Sequence, residues 1–299
     1  MDTLAPRMLL NGLVFPEAPR WHDGKLWFSD MFSHRVLTVD LQGKSEVVAE
    51  FNDRPSGIGF LPEGTPIVVL VRSRKIVRFG NGTVLLHADL SRLPGTELND
   101  MVVDAHGRAY VGLRDRSVKN SPNVIKGEEE SPEGIALVEL DGSCKVVADG
   151  GLRGPNGSVI TPDGKTLIVA ESWGARLSAY SIRDDGTLSA RRTFADLGSN
   201  PDGICLDASG AVWFGSPRGP GFLRVKEGGE ILDRISFKDG KWGVACALGG
   251  PQRKTLFMLS AYINDDDLKR LVDFQSDLTS TSKGLIETVE VDVPGAGIP

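Results

Sequence analysis

Asn99, Asn156 and Asp202 each stand eight residues ahead of a turn glycine (Gly107, Gly164 and Gly210), and Glu17 stands seven ahead of Gly24. Ser56 holds the same place before Gly64. Two carboxylates and two amides brought to one point would form an oxygen-rich site. Carboxylates that face one another out of water repel, and they need a cation or protons to coexist. Such donors suit one divalent metal ion, Ca²⁺ first, with Zn²⁺, Mn²⁺ or Mg²⁺ also acceptable. Asn or Asp beside Gly or Pro is an ordinary turn former, so any one of these residues alone carries little weight. Four at equivalent places of a repeat carry more, provided the repeat brings them together.

The repeat is legible in the turns. WHDGKLWFSD, LPEGTPIVVL, DAHGRAYVGL, TPDGKTLIVA and DASGAVWFGS align on their glycines, and a looser sixth copy, GGPQRKTLFMLS, lies near Arg253. Successive turns are 40, 43, 57, 46 and 43 residues apart. Short apolar runs bounded by Gly, Pro, Asp and Asn, without helix periodicity, read as about four strands per copy. This is the signature of a β-propeller blade. The expectation is an all-β, six-bladed propeller of four-stranded blades, forming one domain over residues 1–299. In such a fold the first strand of each blade lines a central channel, so Glu17, Asn99, Asn156 and Asp202 converge at one mouth.

The ring is expected to close with an outer strand from Met8–Val14 against Glu287–Val293, whose ETVEVDV alternates at period two, because closure removes an exposed edge. The long interval between the third and fourth turns places an insertion at 114–133, polar and without periodicity, either a solvated loop or a lid over the site. The 36 glycines and 17 prolines suit turn-dense β-structure. The net charge of −6 without a basic stripe argues against nucleic acid. The longest apolar run, Ile67–Val71, is far too short to span a bilayer. No signal-peptide pattern opens the chain, and Cys205 and Cys246 sit in apolar strands as expected of buried free thiols. These features predict a cytoplasmic protein, a monomer or small homo-oligomer, whose partner is a small-molecule substrate.

The loops that follow the second strands return to the same mouth and offer Asp30, Phe32, His34, Arg72, Arg114, Glu171, Trp173, Arg218 and Tyr262. Arg114 and Trp173 are the candidate substrate contacts among them. The four histidines lack metal-ligand spacing, and His22 and His106 belong to the opposite mouth. There is no GxSxG elbow, P-loop or dinucleotide fingerprint, and STSK at Ser280–Lys283 is a pattern common by chance.

FPEAPRWHDGKLWFSD, PSGIGFLPEG, LNDMVVDAHGRAYVG, GPNGSVITPDGKTLIVAE and PDGICLDASGAVW, in this order and spacing, resemble the senescence marker protein / gluconolactonase / luciferin-regenerating enzyme family over nearly the whole chain. The resemblance implies a catalytic divalent metal held by Glu17, Asn156 and Asp202, with Asn99 a further ligand or close neighbour, and it implies lactone hydrolysis. Three departures bear on substrate. Glu97 stands where sugar-lactone members often carry Arg, GLRD replaces GNFG, and FGSPRGPG replaces an acidic turn. The expected mechanism is a metal-polarised lactone carbonyl attacked by water, with Asp202 the first candidate base and Glu17 the second. Glu97, Arg114 and Trp173 would meet the substrate. Two alternatives stand beside it: a phosphotriesterase-like hydrolase on the same site, and a non-catalytic calcium-binding propeller.

Overall fold

The computed structural model describes residues 5–115, 133–148, 150–237, 240–264, 266–267 and 283–297. The chain opens with β1 (Arg7–Leu13). A first blade follows from β2 (Pro16–His22), β3 (Lys25–Asp30), β4 (Arg35–Val39) and β5 (Ser45–Glu50), and a second from β6 (Pro55–Phe60), β7 (Pro66–Leu70), β8 (Lys75–Gly80) and β9 (Thr83–Asp89). The third contains β10 (Glu97–Val103), β11 (Ala109–Arg114), β12 (Gly134–Val138) and β13 (Cys144–Ala148). The fourth contains β14 (Pro155–Ile160), β15 (Thr166–Glu171), β16 (Arg176–Ser181) and β17 (Arg192–Asp196). The fifth contains β18 (Ile204–Leu206), β19 (Val212–Ser216), β20 (Gly221–Val225) and β21 (Ile231–Ser236). β22 (Trp242–Gly249), β23 (Thr255–Tyr262) and β24 (Lys283–Glu290) complete the sixth, with β1 as its outer strand.

These six antiparallel sheets form a six-bladed β-propeller. Closure is as expected in kind and shifted slightly in place. Met8 pairs with Glu287 and Arg7 with Thr288, so the outer pair runs Arg7–Leu13 against Lys283–Glu290. Of the 114–133 insertion only Arg114, Asp115 and Glu133 are described; the rest of that expectation lies outside the described residues. Among the described residues no helix is long and apolar enough to cross a membrane.

Strand alternation explains why both faces of a blade are apolar. On β15, Leu167 and Val169 enter the cluster shared with the third blade, while Ile168 and Ala170 enter the cluster shared with the fifth. Each of the six inter-blade gaps has its own cluster of this kind. A fully buried Phe28 or Ile168 contributes about 1.5–3 kcal/mol relative to exposure. Cys205 and Cys246 face each other across the last gap at 3.6 Å, both buried free thiols.

The first strands carry the feature that matters for the site. Their pairing slips at Glu17/Arg20, Pro55/Ile58, Leu98/Met101, Pro155/Ser158 and Gly243/Ala245. A bulge at the same level of five blades bends each strand and turns one side chain out of the ladder toward the axis. Directly after it the strands crowd one another. A Cβ at Gly157 would lie 2.6 Å from Ile204 N, and one at Gly203 would lie 2.3 Å from Ala245 Cβ. Only glycine permits that approach.

Candidate functional site

Asn99 and Asn156 lie within bulges, Glu17 is the last paired residue before one, and Asp202 stands just ahead of β18, whose pairing with β19 shows no slip. All four line a cavity of about 620 Å³ at one end of the channel. Asn99 Nδ2 donates to Pro155 O (3.0 Å), and Asn156 Nδ2 donates to Ser172 Oγ (3.1 Å). Ser172 Oγ in turn donates to Pro201 O at 2.8 Å. Both amide nitrogens are therefore tied to protein, and the amide oxygens are the groups left to bind something else.

The carboxylates are held in an uncomfortable state. Burial, then Asp202 and Asp100, push Glu17 well above the ordinary carboxylate range, against a bond from Ala18 N–H (3.3 Å) and the charge of Arg114. Burial likewise pushes Asp202 up to about 7, with Asp100 adding, while Arg114 and the Asn156 side chain oppose it. Asp202 Oδ1 is buried and has no hydrogen-bond partner among the described residues. An orphaned carboxylate oxygen beside a second carboxylate and two amide oxygens fits a divalent, oxygen-preferring cation. No three His, Cys, Asp or Glu side chains cluster among the described residues, so an ion here would rest on this mixed set.

Beneath the site, Asp100 takes Arg20 Nη2 at 2.9 Å and its neighbour Met101 N–H at 2.8 Å. Arg20 also donates to Ile58 O (2.9 Å) and Met101 O (2.7 Å), tying the first three blades across the channel. Arg20 and Asp100 are both buried, and their charges are paired.

The remaining candidates divide. Glu97, Arg114 and Trp173 line the cavity, as do Phe32 and Arg218. Glu97 and Arg114 are directly opposite in the β10–β11 ladder, so the acidic residue at 97 faces a cation across the strands. Trp173 stands at the rim, 46% exposed. His34, Arg72 and Tyr262 are not among the lining residues. Asp30 and Glu171 turn back into their own blades. Asp30 accepts Phe15 N–H (2.7 Å), Val14 N–H (3.0 Å) and Ser33 Oγ (2.6 Å). Glu171 accepts Arg153 N–H (2.9 Å), Arg176 Nη2 (2.8 Å) and Ser178 Oγ. Each is an anchor for the loop beside it.

Three contributors escape a reading of the sequence. Ser172 orients Asn156. Glu133 lines the cavity, with Oε2 accepting Gly154 N–H (2.6 Å) and Oε1 accepting Asp115 N–H (3.2 Å). The Arg20–Asp100 pair sits under the carboxylates. Only the last left a signal: a charged residue inside each of two first strands, PEAPRW and ELNDMVV.

The family model described as SMP-30/Gluconolactonase/LRE-like region matches residues 15–262. The chain belongs to this family. It is 24% identical over 298 residues to a 6-deoxy-6-sulfogluconolactonase of Pseudomonas putida, covering 96% of this chain and 94% of that one. It is 26% identical over 266 residues to regucalcin of Danio rerio, covering 84% of each. Among solved structures, the calcium-binding protein regucalcin of Agrobacterium tumefaciens superposes with a TM-score of 0.78 at 20% identity, covering 100% of this chain and 99% of that one. That structural likeness speaks for the fold. The SMP-30/gluconolactonase family is the one the blade motifs resemble.

Proposed function

We propose that this protein is a metal-dependent hydrolase that opens a lactone. The observation that carries the reading is the pairing of Asp202, its Oδ1 buried without a partner, with Glu17 and two amide oxygens in one cavity. Glu17, Asn156 and Asp202 would hold the ion, with Asn99 a fourth ligand or close neighbour. When bound, a divalent cation supplies Lewis-acid polarisation of the ester carbonyl. Ca²⁺ is the first candidate, and a relative named 6-deoxy-6-sulfogluconolactonase supports the reaction class.

The chain's own groups account for the proton movements. A water oxygen bonds the carbonyl carbon while its proton passes to the Asp202 carboxylate, with Glu17 the second candidate for that role. The ring C–O bond then breaks, and the departing alkoxide recovers the proton, leaving a hydroxy acid. Asn99 and Asn156 contribute oxygen donors without adding charge. Arg114 places a positive charge beside both carboxylates, where the product acid also forms.

A second reading, a calcium-binding propeller without turnover, is favoured by the regucalcin names of other relatives. The test is a pH-indicator hydrolysis assay on sugar, aliphatic and aromatic lactones with each cation added. Turnover lost in Asp202→Asn supports the hydrolase. Metal-induced stabilisation without turnover of any lactone supports the binding propeller, unless phosphotriesters are cleaved, which would assign a phosphotriesterase instead.

A further inference from the structure

The cavity wall is divided by blade. From the sixth blade round to the third it presents Trp242, Phe15, Met31, Phe32, Val71 and Leu98, with Glu17 the charged side chain in that arc. The other arc, from the third blade to the fifth, concentrates the remaining charge (Glu97, Arg114, Asp115, Glu133, Asp202 and Arg218) with Ser and Asn side chains, its apolar members being Trp173 and three prolines. The apolar arc is built rather than incidental. Phe15 and Phe32 meet edge to face at 5.5 Å, and the buried Arg54 guanidinium lies 4.7 Å from the Phe32 ring centre. Phe15 is fixed at both backbone ends, its N–H on Asp30 Oδ1 (2.7 Å) and its carbonyl on Met31 N–H (3.0 Å). Trp242 is capped by the Arg218 guanidinium at 5.4 Å.

We propose that this arc is a subsite for an apolar substituent, so that the substrate is a lactone bearing an alkyl or aryl group rather than a ring hydroxylated on every side. The proposal rests on the lactonase reading for the ring and on the wall for the substituent. Hydroxyls facing Phe15, Phe32, Val71 and Leu98 would lose water and gain no partner, whereas methylenes there leave water favourably. A bare lactone ring at the carboxylates would fill only part of a cavity of about 620 Å³. The apolar arc adjoins the carboxylate site through Leu98, next to Asn99, and Phe15, two residues from Glu17, so a substituent on the ring reaches it directly.

The test uses the full chain with saturating Ca²⁺. Turnover is measured on γ-butyrolactone, γ-hexalactone, γ-octalactone and glucono-1,5-lactone, and calorimetric binding on the non-hydrolysed 5-alkyl γ-lactams of the same lengths. The expected result is a kcat/KM that rises along the alkyl series by about fourfold per methylene, and lactam affinity that rises in parallel. Trp242→Ser should flatten both slopes and Trp242→Phe should keep them. A flat series, a preference for glucono-1,5-lactone over γ-octalactone, or slopes unchanged in Trp242→Ser would overturn the subsite while leaving the lactonase reading intact. Lactams that tighten with chain length while no lactone is turned over would uphold the subsite and overturn the lactonase reading. Neither effect would overturn both.

Discussion

Asp202 and Glu17 are negative groups that the surrounding protein does not fully compensate, since Arg114 is the cation that opposes their raised protonation. In the metal-free protein this has a pH signature. Asp202 is pushed from 3.8 to about 7, so the folded state binds a proton that the unfolded chain has released. The associated stability is fully present below about pH 4 and is lost as pH rises through about 7, on the order of a few kcal/mol. Melting temperature of the stripped protein should therefore fall across that window. Asp202→Asn should shrink the decline to the part that the buried Glu17 contributes, and added Ca²⁺ should reverse it. A stripped protein that grows more stable toward neutrality would show that the two carboxylates are compensated by other means. Asp202→Asn should also lower kcat by about 10²–10⁴, the usual weight of a positioned acid–base group, measured with metal saturating. Near-normal turnover would remove Asp202 from the proton-transfer role.

At the scale of the element, the site is a property of the channel ends of the first strands, bulged in three of the four blades that supply it, and of the loops that brace them. Gly154 shows how tightly the loop before Asn156 is set. Its φ is +68°, its N–H is taken by Glu133, and an added Cβ would lie 2.4 Å from the Trp173 ring. Gly154→Ala should cost about 1–3 kcal/mol in urea unfolding. It should lower kcat/KM by about ten- to a hundredfold, as Asn156 and Trp173 move together. An unfolding cost with unchanged kinetics would show that this loop braces the fold alone. The metal-site candidates were legible in the sequence because each sits at a nearly fixed offset from a turn glycine, at or beside the bulge in the first, third and fourth blades and just ahead of β18 in the fifth. Asp30 and Glu171 were legible as loop residues, but position in a loop does not say which way a strand's last side chain turns. Glu133 and Ser172 were not legible, because their partners lie 21 and 16 residues away and the contacts exist only once two strands are side by side.

At the scale of the molecule, six blades share their cores in pairs and the ring is closed by β1 against β24. Removing residues 1–13 would strip β1 from β24 and leave β24 as an unpaired edge, while the side chains of β1 itself are mostly exposed. The expected outcome is a melting temperature lower by about 5–10 °C and concentration-dependent association on size exclusion; an unchanged monodisperse protein would mean that the ring does not need this strand. Closure matters for chemistry because the four candidate ligands come from the first, third, fourth and fifth blades, so the site exists only while the ring holds its diameter. The central claim is that this ring positions one catalytic divalent cation, and the most direct measurement is metal add-back to stripped protein, following lactone turnover and bound metal together. The account predicts no turnover without metal, full recovery at one ion per chain, and weaker metal binding with turnover that stays low even at saturation in Asp202→Asn. Full turnover by the stripped protein would contradict it.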